Sequence, residues 1–372
     1  MQRFSIVKQL VIATSLFYDV QALKSTMEQG FWKNLKKPII ALSPMDGVTD
    51  APFRAMTVKY GKSDLMITEF TSVEGMCAGA TKMLAAFLYD ETERPIVAQL
   101  FGSNPEAFYK ATFAICELGF DGVDINMGCP AKSIASKGAG ASLILTPEIA
   151  KEIVRKTRAA CEDWAGGKTM EDVGLHENII AWVKTNRNNI AIKKVLPVSI
   201  KTRIGYDQCV ISEWVKHLLE VEPVNISIHG RTLKQMYSGK ADWDAIARAA
   251  VIIHKTQTTV LGNGDIQNIT EAHQKIQQYG VDGVLVGRAT FGNPWLFKNL
   301  EATTTERLAI AKEHAALHQK IFGENLFMPM RKHLSWYTKG FPGAAEIRQK
   351  LMTTKSADDV DNILNSVILP EL

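Results

Sequence analysis

Eight short apolar runs, rich in β-branched residues and each closing on small or polar ones, constrain this chain most. They are P-I-I-A-L-S-P-M (38–45), L-M-I-T-E-F (65–70), P-I-V-A-Q-L-F-G (95–102) and G-V-D-I-N-M-G (122–128), then P-V-S-I-K-T-R-I-G (197–205), N-I-S-I-H-G (225–230), T-V-L-G-N-G-D-I (259–266) and G-V-L-V-G-R-A (283–289). Amphipathic helical stretches separate them. Asn104 before Pro105, and Thr146 before Pro147, carry the cap-then-proline signature of a helix start. Continuous apolar strands alternating with helices predict a parallel sheet covered on both faces. Eight units fit a closed (β/α)8 barrel, with a doubly wound open sheet as the rival. The barrel is favoured because polar residues gather at the carboxyl ends of different strands, the rim on which such a barrel builds its site.

The expected organisation is α/β. Residues 1–36 form an N-terminal helical extension, residues 37–304 a TIM barrel, and residues 305–372 a smaller all-helical domain. An expansion at 163–193 lengthens the crossover between the fourth and fifth strands. The run 8–18 reads as a packed helix, because Asp19 follows it and no cleavage site stands out. No apolar run approaches the roughly 18 residues of a membrane span, so none is expected. The net charge of +4 is too small by itself to imply nucleic acid. The five cysteines, at 77, 116, 129, 161 and 209, form no CxxC pair. That spacing argues against a disulfide scaffold or a zinc site and fits a reducing, cytoplasmic setting.

The strand ends hold the candidate chemistry. Cys129 lies between Gly128 and Pro130, on a turn beyond the fourth strand. It is either a small core hydrophobe or a thiol that can donate a proton. Asn126 precedes it, to bind a ring carbonyl or to anchor the loop. Lys201 and Arg203 share one face of the fifth strand, for an internal ion pair or for an anionic, electron-rich ligand. His229 ends the sixth strand, and Gln99 interrupts the third. The turns G-N-G-D-I and V-G-R-A end the seventh and eighth strands, where barrels commonly hold phosphate on backbone N–H groups. Arg288 can clamp that phosphate. Met45 can pack on a flat ligand or in the core. A phosphorylated cofactor with a flat heterocycle suits this set, flavin mononucleotide (FMN) above all, and no metal-ligand pattern is present.

Assembled in order, S-P-M-D-G-V-T-D (43–50), T-E-F (68–70), A-Q-L-F-G (98–102), D-I-N-M-G-C-P-A-K (124–132), I-K-T-R-I-G (200–205), I-H-G-R-T (228–232), A-D-W (241–243), G-N-G-D-I (262–266) and V-G-R-A-T-F-G-N-P-W-L-F (286–297) resemble the tRNA-dihydrouridine synthase family. R-K-H-L-S-W-Y-T-K-G (331–340) resembles its bacterial B-type subgroup. The resemblance implies an FMN barrel, a helical tRNA-binding domain, and reduction of the C5–C6 bond of selected uridines with NADPH (or NADH) as reductant. It implies Cys129 as the acid that protonates C5 while flavin N5 delivers hydride to C6. Pro44, Met45, Gln99, Lys201, His229, Asn263, Gly264, Asp265, Gly287 and Arg288 would hold the cofactor. Asn126, Lys132, Arg203, Arg231, Arg331, Lys332, His333 and Lys339 would meet uracil or RNA. The partner implied is tRNA, with no metal and no membrane, and a monomer is expected. Ser43 stands where the family commonly has alanine, and Leu233 where a basic residue is common. The alternatives are another FMN barrel, such as a dihydroorotate dehydrogenase, or a noncatalytic RNA-binding protein.

Overall fold

The computed structural model describes residues 29–367. The helix expected at 8–18 lies outside them. All eight runs form strands: β1 (Ile39–Leu42), β2 (Met66–Ser72), β3 (Ile96–Phe101), β4 (Gly122–Met127), β5 (Val198–Gly205), β6 (Asn225–Thr232), β7 (Thr259–Asn263) and β8 (Gly283–Val286). They form one parallel sheet in the order β1-β8-β7-β6-β5-β4-β3-β2.

The sheet curls through 245° about an axis and stops short of closing between β1 and β2. This corrects the expected closed barrel. Low on the seam, Asp64 N donates to Ile40 O (3.1 Å) and Leu42 N donates to Leu65 O (3.2 Å). Above Leu42 the chain soon meets Pro44, which has no N–H for a ladder. The neighbouring β2 also breaks register between Ile67 and Phe70, as a bulge does.

Strand alternation sorts the side chains. Outward residues such as Leu42, Leu100, Ile125, Ile200, Ile228 and Val286 pack under the covering helices. Inward residues at the bottom, including Ile39, Ala41, Ile67, Val97, Leu261 and Leu285, make a separate apolar plug capped by Trp32. Each buried aliphatic side chain contributes about 1.5–3 kcal/mol. Asn104 caps its helix by accepting from Glu106 N and Ala107 N, whereas Thr146 makes no such side-chain bond.

The helices Thr304–Phe322, Met330–Tyr337, Ala344–Leu351 and Ala357–Asn365 share a second core that includes Met56 and Trp295 from the barrel side. Phe291 stacks on Trp336, with centroids 4.0 Å apart and planes at 13°. Gly292 sits at φ 65, and a Cβ there would lie 2.4 Å from Trp336 O. The chain leaving β8 is therefore seated on the helical region. The 163–193 expansion contains the helix Glu177–Asn186. Its flank ties to the helix Pro105–Leu118 through Arg187 and Glu117 (2.6 Å).

Candidate active site

The period of two that builds the apolar plug also builds the site. From mid-strand upward, the inward positions of β4 to β6 turn polar: Asp124 and Asn126; Ser199, Lys201 and Arg203; Ser227, His229 and Arg231. Gln99 on β3 and Asn263 on β7 flank them. Register sets Gln99, Asp124 and Ser199 side by side, and Asn126 beside Lys201 one step higher.

Cys129 sits on a turn held from two sides. Asn126 Oδ1 accepts from Gly128 N (3.0 Å) and Cys129 N (2.8 Å). Arg203 Nε donates to Gly128 O (2.6 Å), and its Nη1 donates to Thr232 O and Met236 O, both at 3.1 Å. Arg203 thus clamps the cysteine turn to the loop after β6. Gly140, at φ 60, passes so close that a Cβ would stand 2.8 Å from Cys129 O. Burial pushes the thiol above its ordinary pKa, opposed by the Ala131 amide and by Arg203 and Lys201, so Cys129 keeps its proton at neutral pH.

Lys201 Nζ donates to Asn263 Oδ1 (3.3 Å), and Asn263 Nδ2 donates to Leu285 O (2.8 Å). Burial and then Arg203 pull the Lys201 amine down to about 8. It is cationic at pH 7 and still able to titrate. His229 is driven down to about 2 by burial and by Lys201, Arg203, Arg231 and Arg288 around it, so its imidazole is neutral. Arg231 Nη1 lies 3.3 Å from His229 Nε2. A guanidinium only donates, so Nε2 accepts and the ring proton sits on Nδ1.

The two glycine turns meet at the rim of β7 and β8. Gly264 has φ 133, where a Cβ would stand 2.6 Å from Ala241 Cβ and 3.3 Å from the His229 ring. A Cβ on Gly287 would stand 3.2 Å from Met45 Sδ. Arg288 Nη2 donates to Asp265 Oδ1 (2.7 Å) from a side chain that is 56% exposed. Arg231 is buried and donates to both oxygens of Asp265 (2.9 and 2.7 Å) and to Ser238 O and Gly239 O. Burial raises Asp265, but the Ala241 amide, Arg231 and Arg288 outweigh it and hold the carboxyl below its usual range.

Lys332 brings the helical region to this rim. Lys332 Nζ lies 3.6 Å from where a Gly47 Cβ would be. Its charge acts on Asp46, Asp50 and Glu69. Burial and the Asp50 charge raise Glu69 to about 7, and burial raises Asp50 to about 6. The other expected RNA contacts are dispersed. Arg331 donates to Thr354 O (2.7 Å), and His333 is buried against Phe53, His314 and Trp336. Lys132 and Lys339 are exposed.

Comparison with known proteins decides the family. The family model "Dihydrouridine synthase (Dus)" matches residues 40–164 and 162–371. A "Probable tRNA-dihydrouridine synthase 2" from Bacillus subtilis (strain 168) is 34% identical over 348 residues, covering 91% of this chain and 97% of the relative. A "Probable tRNA-dihydrouridine synthase" from Staphylococcus aureus (strain COL) is 33% identical, covering 91% and 96%. The chain belongs to the dihydrouridine synthase family. Among solved structures, one titled "Morphinone reductase" aligns more distantly, with a TM-score of 0.43 and 11% identity over 73% of this chain and 87% of that one.

Sequence reasoning passed over four residues in this dihydrouridine synthase family site. Asp124 and Ser199 stand two residues before Asn126 and Lys201, so the period of two that singled out their neighbours carries them onto the same inward face. Asp46 and Glu69 offered no such signal, because a loop and a bulge place them. Among the described residues, no group of three or more His, Cys, Asp or Glu can hold a metal ion, and no helix is long and apolar enough to cross a membrane.

Proposed function

We propose that the protein is an FMN-dependent tRNA-dihydrouridine synthase, which reduces the C5–C6 bond of uridines in tRNA with NADPH or NADH as electron source. The Cys129 turn carries this reading: a protonated thiol fixed from both sides at a strand end, beside Lys201, in a chain of this family. The glycine rim fits a flavin phosphate, because Gly264 and Gly287 let the turns after β7 and β8 pack against Ala241 and Met45 where a side chain would collide, at the strand ends where barrels offer backbone N–H groups to phosphate. Asn263, Gly264, Asp265 and Gly287 would frame the phosphate. Arg288 can turn to it from Asp265 at small cost, since an exposed ion pair is worth only about 0–1 kcal/mol. Pro44 and Met45 would line the ring, and Gln99, Lys201 and neutral His229 would address its polar edge.

FMN held by these residues would, when reduced, supply the hydride that goes to C6 of the uracil. Lys201 offers a positive charge to the electron-rich edge of the ring. Cys129 gives the Sγ proton to C5. Arg203 and Lys201 then face the thiolate with positive charge. A stacked base cannot reach a barrel mouth, so the uridine is unpaired or extruded. Asn126 and Arg203 serve the turn directly, and Lys132 and Lys339 offer exposed charge to the RNA backbone.

Two measurements test the proposal. The purified protein should carry flavin absorbance that NADPH bleaches. Transfer RNA from cells lacking the gene should lose dihydrouridine at defined positions and regain it when the wild-type gene is restored. A protein that NADPH bleaches, but whose loss leaves every dihydrouridine in place, would be another FMN oxidoreductase.

A further inference from the structure

Asp124 is fully buried inside the barrel, yet no step above uses it. Its Oδ1 accepts from Ser199 Oγ (2.6 Å) and its Oδ2 accepts from Gln99 Nε2 (2.7 Å). Burial pushes its carboxyl up to about 6, with the Ser199 hydroxyl and the Gln99 amide pulling it back, so it is ionised at neutral pH. An ionised carboxylate has no proton to give. Gln99 must therefore present its NH2 to Asp124, which leaves Gln99 Oε1 to accept from Asn126 Nδ2 (2.9 Å). That in turn aims Asn126 Oδ1 at the turn, where it accepts from the Gly128 and Cys129 amides.

We propose that Asp124 is a positioning residue, an acceptor that sets the direction of a hydrogen-bond chain through Gln99 and Asn126 to the backbone of the Cys129 turn. The two ends of a side-chain amide have nearly the same shape, so only their partners decide which end faces where. A reversed Asn126 would point NH2 at two N–H donors and release the turn. Pro130 has no N–H of its own to replace the lost bonds. The catalytic importance of this chain rests on the acid role proposed for Cys129, but the chain itself does not.

The test is hydrogen exchange in the purified protein, read by mass spectrometry on the peptide spanning residues 126–132, together with the two half-reactions. Asp124→Leu removes the acceptor. Exchange in that peptide should rise about tenfold or more while β1, β7 and β8 stay protected. Oxidation of the reduced protein by tRNA should slow more than its reduction by NADPH, since Gln99 also stands at the proposed flavin site. Asp124→Asn keeps an oxygen for Gln99 and can donate to Ser199 Oγ, so it should retain the protection although the charge is gone. Wild-type protection in Asp124→Leu overturns the proposal, and so does equal loss in both variants. If Asp124→Leu unfolds, Gln99→Leu cuts the next link with Asp124 in place and must show the same local rise; protection there also overturns it. A protein inactive on tRNA would defeat the proposed function and leave the exchange result standing.

Discussion

Replacing His318 by phenylalanine isolates the proton linkage of one buried histidine in the helical region. His318 is 1% exposed, packs edge-on to Phe322 (5.0 Å) and Phe327 (6.0 Å), and has no partner for Nδ1. Burial and then the Lys332 charge pull it from 6.5 to about 4. Its folded pKa is depressed, so the unfolded chain binds the proton first. The stability tied to the neutral ring is whole above 6.5 and is lost as pH falls from there to about 4. At pH 5 an unfolded histidine is almost fully protonated and the folded one about one-tenth, a cost of about 2 kcal/mol relative to pH 8. Asp50 and Glu69, raised to about 6 and about 7, run the other way: they favour the fold at low pH and lose that contribution as pH rises. They are present in both proteins, so they cancel in the comparison. Urea unfolding at roughly pH 8 and pH 5 should therefore show the variant losing about 2 kcal/mol less than wild type on acidification. Any offset at pH 8 reports packing and does not bear on the argument. Parallel losses, within about 0.5 kcal/mol, would refute the depressed titration.

Two further changes test other parts of the structure. Gly264→Ala forces a side chain into φ 133 and against Ala241; strain of about 1–3 kcal/mol should weaken FMN retention about 5- to 150-fold, measured as flavin per protein on titration, and unchanged retention would contradict the cradle. Arg54→Met strips the buried Glu93 of its partner at 2.6 Å; urea unfolding should show a loss of about 3–5 kcal/mol, and a loss below about 1 kcal/mol would mean that the pair is not sealed from water.

Alternation is a local property, so the strands and the inward faces of S-I-K-T-R and N-I-S-I-H-G-R were visible from residues alone. The partners of those side chains were not. Arg231 shares the His229 face, yet its guanidinium is taken up by Asp265 and by the carbonyls of Ser238 and Gly239, which only the folded loops bring near. Arg331 and His333 looked like a basic surface because composition does not report burial; one binds backbone at Thr354 and the other lies in the core. The gap between β1 and β2 has a local counterpart in Pro44, whose missing N–H a count of strands does not register. Asp124 was legible by its spacing, and its role emerged only once Gln99 and Ser199 stood beside it.

The central claim is that the Cys129 thiol supplies the proton while reduced flavin held in the barrel mouth would supply the electrons. The most direct measurement is rapid mixing of NADPH-reduced protein with unmodified tRNA, comparing wild type with Cys129→Ala. The alanine variant should accept electrons from NADPH at the wild-type rate but form dihydrouridine about 10²- to 10⁴-fold more slowly, the usual worth of a general acid. Wild-type rates of dihydrouridine formation without the sulfur would contradict the account.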